Sequence, residues 1–138
     1  MTTIPLNNNW TVEYFEPNID GFEMAPSIQT IERISEWNCS GRFADAGFYA
    51  YLQHRFDLEP TAMCVRYELQ IENPPSATKV YVNDTHIADS TDRVLRLDIT
   101  DYVSHGKNRV SLRIDCVAHR EHRFEAVYLV QTSCETQP

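Results

Sequence analysis

Val65-Arg66-Tyr67-Glu68-Leu69-Gln70-Ile71-Glu72 is the stretch that decides the fold. Val65, Tyr67, Leu69 and Ile71 are apolar, and every residue between them is charged or an amide. Side chains of a β-strand alternate between its two faces, so this spacing predicts a strand with one face in a core and one in water. The same period recurs outward in both directions. Upstream, Trp10, Val12 and Tyr14 alternate with Thr11 and Glu13. Phe48, Ala50, Leu52, His54, Phe56 and Leu58 form one face of a long strand, and Tyr49, Tyr51, Gln53, Arg55 and Asp57 form the other. Downstream come Val80 and Val82, then Leu95, Leu97 and Ile99, then Val110, Leu112, Ile114 and Cys116, then Phe124, Ala126, Tyr128 and Val130.

Breakers separate these runs: Pro60, Pro74-Pro75, Asp89-Ser90 and Gly106-Lys107-Asn108. Asn83-Asp84 reads as a hairpin turn, because Asn and Asp tolerate the positive φ that tight hairpins need. Many short strands at close intervals predict an all-β antiparallel sandwich or barrel. No stretch keeps a helical period, and residues 27–37 fit either a turn of helix or an irregular strand. The apolar strand faces drive folding, each buried Val, Leu, Ile or Phe contributing roughly 1.5–3 kcal/mol.

The chain has 138 residues, so one domain over 1–138 is expected, with 1–5 and 135–138 as frayed tails. Twelve Lys and Arg stand against 20 Asp and Glu, a net charge of −8. That balance argues against a nucleic-acid or anionic-membrane partner, because phosphate would repel it. No window approaches the ~20 apolar residues of a membrane helix. Residues 1–7 hold no basic start followed by an apolar run, so a cytoplasmic location is expected. Cys39, Cys64, Cys116 and Cys134 are then expected as free thiols, and none forms a CxxC pair.

A family resemblance emerges from the order of the motifs. Gly47-Phe48-Tyr49-Ala50-Tyr51 leads into Arg55-Phe56-Asp57-Leu58, then Lys79-Val80-Tyr81-Val82-Asn83-Asp84, then Leu97-Asp98-Ile99-Thr100, then Tyr102-Val103 and Gly106-Lys107-Asn108-Arg109-Val110. This succession, covering roughly Leu6 to Val130, resembles the N-terminal sugar-binding domain of glycoside hydrolase family 2, the β-galactosidase and β-glucuronidase family. The resemblance implies a jelly-roll β-sandwich of the galactose-binding-like group. The motifs themselves read as structural: Asp98 ties down a turn, Thr100 caps the next segment and Gly106 supplies positive φ. Two departures stand out. The family's Asn-Gly turn is Asn83-Asp84, and its glycine pair before the last strand is replaced by His119-Arg120-Glu121-His122-Arg123-Phe124. In the family, catalysis belongs to two glutamates on a separate (β/α)₈ barrel, for which 138 residues leave no room. The resemblance therefore implies the accessory module without the enzyme.

The candidate sugar site follows from chemistry and from the family's loop placement. Sugars bind where an aromatic ring meets their CH face and planar polar groups bond their hydroxyls. Trp37 precedes a polar loop with Asn38, Arg42 and Asp45, and a second loop offers His119, Arg120, His122 and Arg123. In the family the corresponding loops lie at one end of the sandwich. The competing reading makes Trp37 a core plug on a rim that holds no ligand. Tyr49 and Tyr51 form an aromatic strip that serves a ligand, a second subunit, or a covering N-terminal segment. Cys116, His119, Glu121 and His122 do not make a four-ligand metal set, no structural calcium set can be assembled, and no cofactor is expected. Glu68, Glu72, Asp98 and Asp115 read as solvated strand charges, and no catalytic signature accompanies them. Three functional readings result: a non-catalytic module for a galactoside or glucuronide-like carbohydrate, a protein-interaction or self-association domain, or the separately encoded accessory part of a split glycoside hydrolase.

Overall fold

The computed structural model describes residues 2–18, 21–24, 28–38, 49–60, 64–75, 77–115 and 122–134. Its strands are β1 (Thr2–Pro5), β2 (Asn8–Asn18), β3 (Gly21–Met24), β4 (Gln29–Arg33), β5 (Tyr49–Leu58), β6 (Val65–Glu72), β7 (Lys79–Val82), β8 (Thr85–Asp89), β9 (Val94–Asp98), β10 (Gly106–Asp115) and β11 (Ala126–Ser133). They form a narrow sheet, β1-β11-β6-β9, and a wide sheet, β3-β2-β5-β10-β7-β8, with β4 also paired to β2. Every pairing is antiparallel. Leu69, Ile71 and Leu129 from the narrow sheet and Leu52, Val80 and Leu112 from the wide one are fully buried in a shared core. The expected all-β sandwich is present.

The deciding stretch behaves as its pattern dictates. Tyr67, Leu69 and Ile71 are buried, while Arg66, Glu68, Gln70 and Glu72 alternate outward. Within residues 28–37 both alternatives occur in succession, strand β4 followed by a 3₁₀ turn at Ile34–Glu36. The Asn83-Asp84 turn takes φ of 48° and 70°, the two positive values of a type I′ hairpin. Gly106 sits at φ 99°. Thr100 Oγ1 donates to Asp98 Oδ1 at 2.6 Å and accepts from the Tyr67 N–H at 2.9 Å, so this pair closes the end of β9 onto β6.

Three expectations need correction. Thr2–Pro5 is not a frayed tail, because β1 pairs with β11 from Thr2↔Gln131 to Pro5↔Tyr128. Cys64 and Cys134 are not free thiols. They form a disulfide that joins the start of β6 to the residue after β11. The period in β11 also picks the wrong face. Val127 and Leu129 point into the core, while Tyr128, which the alternation had set on the apolar face, is half-buried. β11 lies between β1 and β6 and carries apolar residues on both faces, so a two-residue period cannot choose between them.

Candidate functional site

The two polar loops of the sequence begin and end side by side. Asn38, after Trp37, forms an isolated antiparallel bridge with Arg123. At the other end of both loops, Tyr49 on β5 pairs directly with Asp115 on β10. Asn38 and Tyr49 thus flank residues 39–48, and Asp115 and His122 flank residues 116–121. Arg42, Asp45, His119 and Arg120 fall within those segments and lie outside the described residues. Trp37, Asn38, His122 and Arg123 are described.

Local bonding explains how the rim is held. Asn73 follows β6 in the left-handed region at φ 56°, which an Asn adopts at little cost. Its Nδ2 donates to the Arg123 carbonyl at 2.9 Å, and its own carbonyl lies 3.0 Å from His122 Nε2. The Arg123 guanidinium donates to the Glu36 carbonyl at 3.1 Å, reaching back to the 3₁₀ turn. Arg123 is exposed and His122 half-buried. Neither Asn73 nor Glu36 was singled out from sequence. An Asn directly before Pro74-Pro75 was the available signal, since that pairing favours a turn.

Trp37 is placed differently from a stacking residue. It is 6% exposed and its Nε1 donates to Tyr14 Oη at 3.0 Å, so its ring fills the core beneath the rim. Among the described residues here, Asn38 and His122 are half-buried polar groups and Arg123 is exposed.

A concavity lies on the outer face of the narrow sheet, a groove of about 350 Å³ lined by Arg66, Glu68, Gln70, Asp98, Val130 and Thr132. Glu68 and Asp98 stand opposite each other on β6 and β9. Their bonds are already made: Gln70 Nε2 donates to Glu68 at 2.6 Å, and Arg66 pairs with Asp98 at 3.2 Å. The Thr100 hydroxyl, then its backbone N–H, hold the Asp98 carboxyl below its ordinary value. A glycosidase acid needs a carboxyl shifted the other way. Among the described residues, no three His, Cys, Asp or Glu side chains gather as a metal site. No helix among them is long and apolar enough to cross a membrane.

No family model matches the sequence, and no curated protein is similar to it. Solved structures do share the fold. A β-glucuronidase from an uncultured Clostridium sp. superposes with TM-score 0.72 at 12% identity, over 97% of this chain and 29% of its own. An FMN-binding β-glucuronidase from Faecalibacterium prausnitzii L2-6 gives 0.71 at 16%, over 95% and 22%. A glycosyl hydrolase family 2 member from Bacteroides cellulosilyticus gives 0.63 at 16%, over 96% and 21%. The chain thus spans under a third of the length of the enzymes it matches, and its fold is that of one domain within them. This is the fold that the motif order implied.

Proposed function

We propose that the chain is one non-catalytic sandwich module that binds carbohydrate at the rim formed by Asn38, His122 and Arg123, together with Arg42, Asp45, His119 and Arg120 of the adjoining segments. The observation that supports this reading is the Asn38–Arg123 bridge, which joins one residue flanking each polar segment. Loops at one end of a rigid sandwich are where binding residues concentrate. The likeness to glycosidase domains supports a galactoside or glucuronide-like ligand, and the guanidinium of Arg123 suits hydroxyls or a uronate carboxylate. The reading assigns no reaction to this chain, and it gives the buried Trp37 a supporting part beneath the site. A disulfide persists where thiols are not kept reduced, so we place the protein in an oxidising compartment instead of the cytoplasm.

The test is a glycan array on the purified protein, followed by titration of any hit with the Arg123→Ala variant. A specific hit weakened in that variant supports the reading. A folded protein that ignores every galactoside and glucuronide overturns it and favours an interaction domain.

A further inference from the structure

The outer face of the wide sheet carries a row of rings that the rim does not use. Phe15 on β2 meets Tyr51 on β5 with centroids 6.1 Å apart, Tyr51 meets Tyr81 on β7 at 6.4 Å, and Tyr81 meets His86 on β8 at 5.2 Å. The Tyr51–Tyr81 contact passes over β10. Beneath it lies Ser111, the residue opposite both Gln53 and Tyr81. Ser111 faces outward, yet it is 0% exposed and its Oγ has no hydrogen-bond partner. A buried hydroxyl left unbonded costs free energy and calls for an explanation. Phe15, Tyr51 and Tyr81 are each half-buried, so their remaining surface is open. The row also continues from the rim. Tyr49, which anchors the rim, lies on the same face under the Arg113 guanidinium, 4.7 Å from its ring centroid.

We propose that this face is an extended subsite for a linear oligosaccharide, running from the rim across the Phe15–Tyr51–Tyr81 row. The proposal rests on the carbohydrate reading above and deepens it. Successive rings are tilted by 73° and 75°, so the row is corrugated and offers both ring faces and edges to the CH groups of a sugar chain. Gln53, Arg55 and Arg113 share the face and supply planar donors for hydroxyls or carboxylates. Size separates this occupant from a second copy of the chain. Five strands at ~4.8 Å spacing and five residues at ~3.3 Å give a patch of roughly 19 Å by 13 Å, on the order of 250 Å². A stable protein interface needs about 800 Å² per partner. The patch is too small for that, and longer than a single sugar.

The test is titration of the full chain with oligogalacturonate, neutral oligogalactan, galactose and galacturonate. One or both oligosaccharides are expected to bind more tightly than their monomers, and Tyr51→Ala and Tyr81→Ala to weaken them about tenfold each while leaving monomer binding unchanged. The uronate and neutral arms tell whether Arg55 and Arg113 meet carboxylates or hydroxyls. Ring-proton shifts of Tyr51 and Tyr81 in the wild-type protein keep the test independent of whether the variants fold. Oligosaccharide binding unchanged in both variants, with shifts confined to His122 and Arg123, overturns the extended subsite and leaves the rim reading standing. No binding of any of these sugars overturns the extended subsite, and no binding of a glucuronide as well overturns the rim reading. A concentration-dependent dimer abolished by the same variants assigns the face to a second copy instead.

Discussion

Asn108 is the residue whose removal tests the structural argument most directly. It is 3% exposed at the start of β10, and its side chain makes four hydrogen bonds. Oδ1 accepts from the Ser104 N–H at 2.8 Å and from Asn83 Nδ2 at 2.9 Å. Nδ2 donates to the carbonyls of Ser104 at 2.8 Å and Gly106 at 3.1 Å. Asn83 in turn accepts from the Arg109 N–H and donates to the Tyr102 carbonyl, both at 2.9 Å. The β7–β8 turn and the loop before β10 are thus one network with Asn108 at its centre. At about 1 kcal/mol for each bond, Asn108→Ala forfeits about 4 kcal/mol. Ser104 is exposed and Asn83 half-buried, so water restores part of this, leaving a loss of about 2–3 kcal/mol. For a chain of this size that is a fall in melting temperature of roughly 6–12 °C. Calorimetry and urea titration measure it, with Lys107→Ala at an exposed neighbour staying within about 0.5 kcal/mol. Asn108→Asp sharpens the test. It keeps both accepted bonds but turns a carboxylate oxygen toward two carbonyls, so it should cost as much as alanine. The same carbonyls raise its folded-state pKa, so part of the loss should return as pH falls and the carboxyl protonates. An Asn108→Ala variant within about 1 kcal/mol of wild type would refute the reasoning.

Two further outcomes follow from other parts of the molecule. His54 is half-buried against Trp10 and Phe56, and burial outweighs the nearby Asn9 and Asn8 backbone to lower its pKa from 6.5. Its contribution is therefore complete above pH 6.5 and declines as pH falls through the folded-state value, a slope that should vanish in His54→Phe; an unchanged pH profile refutes the placement. Cys64→Ser opens a link across a sequence separation of 70, worth up to about 4 kcal/mol by loop entropy, and should move the denaturation midpoint to that of the reduced wild type.

How much of this was legible in the sequence depends on what each residue does. β6 was legible because one of its faces is apolar and the other polar, so the period of two admits a single answer. β11 was not, because it is apolar on both sides and burial is settled by neighbours the sequence does not display. The Asn83 turn was legible from local φ preference, whereas its bond to Asn108, 25 residues away, was not. Cys64 and Cys134 stand 70 residues apart, and nothing local predicts that β6 and β11 bring them together. At the rim, sequence named Asn38, His122 and Arg123 from residue type and the family's loop placement. It missed Asn73, whose part depends on a left-handed backbone beside β11.

The motifs that made the fold recognisable are not those that would bind a ligand. Asn83, Asp98, Thr100, Gly106 and Asn108 cluster where β7, β9 and β10 turn, and each is occupied in bonding a turn to its neighbour. Gly106 pairs with Leu58 at one end of β10, whereas Asp115 pairs with Tyr49 at the rim end, nine residues away along the strand. Ten residues of strand span roughly 30 Å, so the turn network and the rim stand at opposite ends of the sandwich. The disulfide lies at the turn end as well, since β6 (Val65–Glu72) begins directly after Cys64 and ends directly before Asn73, which bonds Arg123. One end of the molecule is therefore fastened by turn chemistry and a covalent link. At the other, Asn38 bridges to Arg123 and Tyr49 pairs with Asp115, on strands whose register that distant end helps to fix. A sequence can change its rim without disturbing the turns, so the motifs identify the fold and not a ligand.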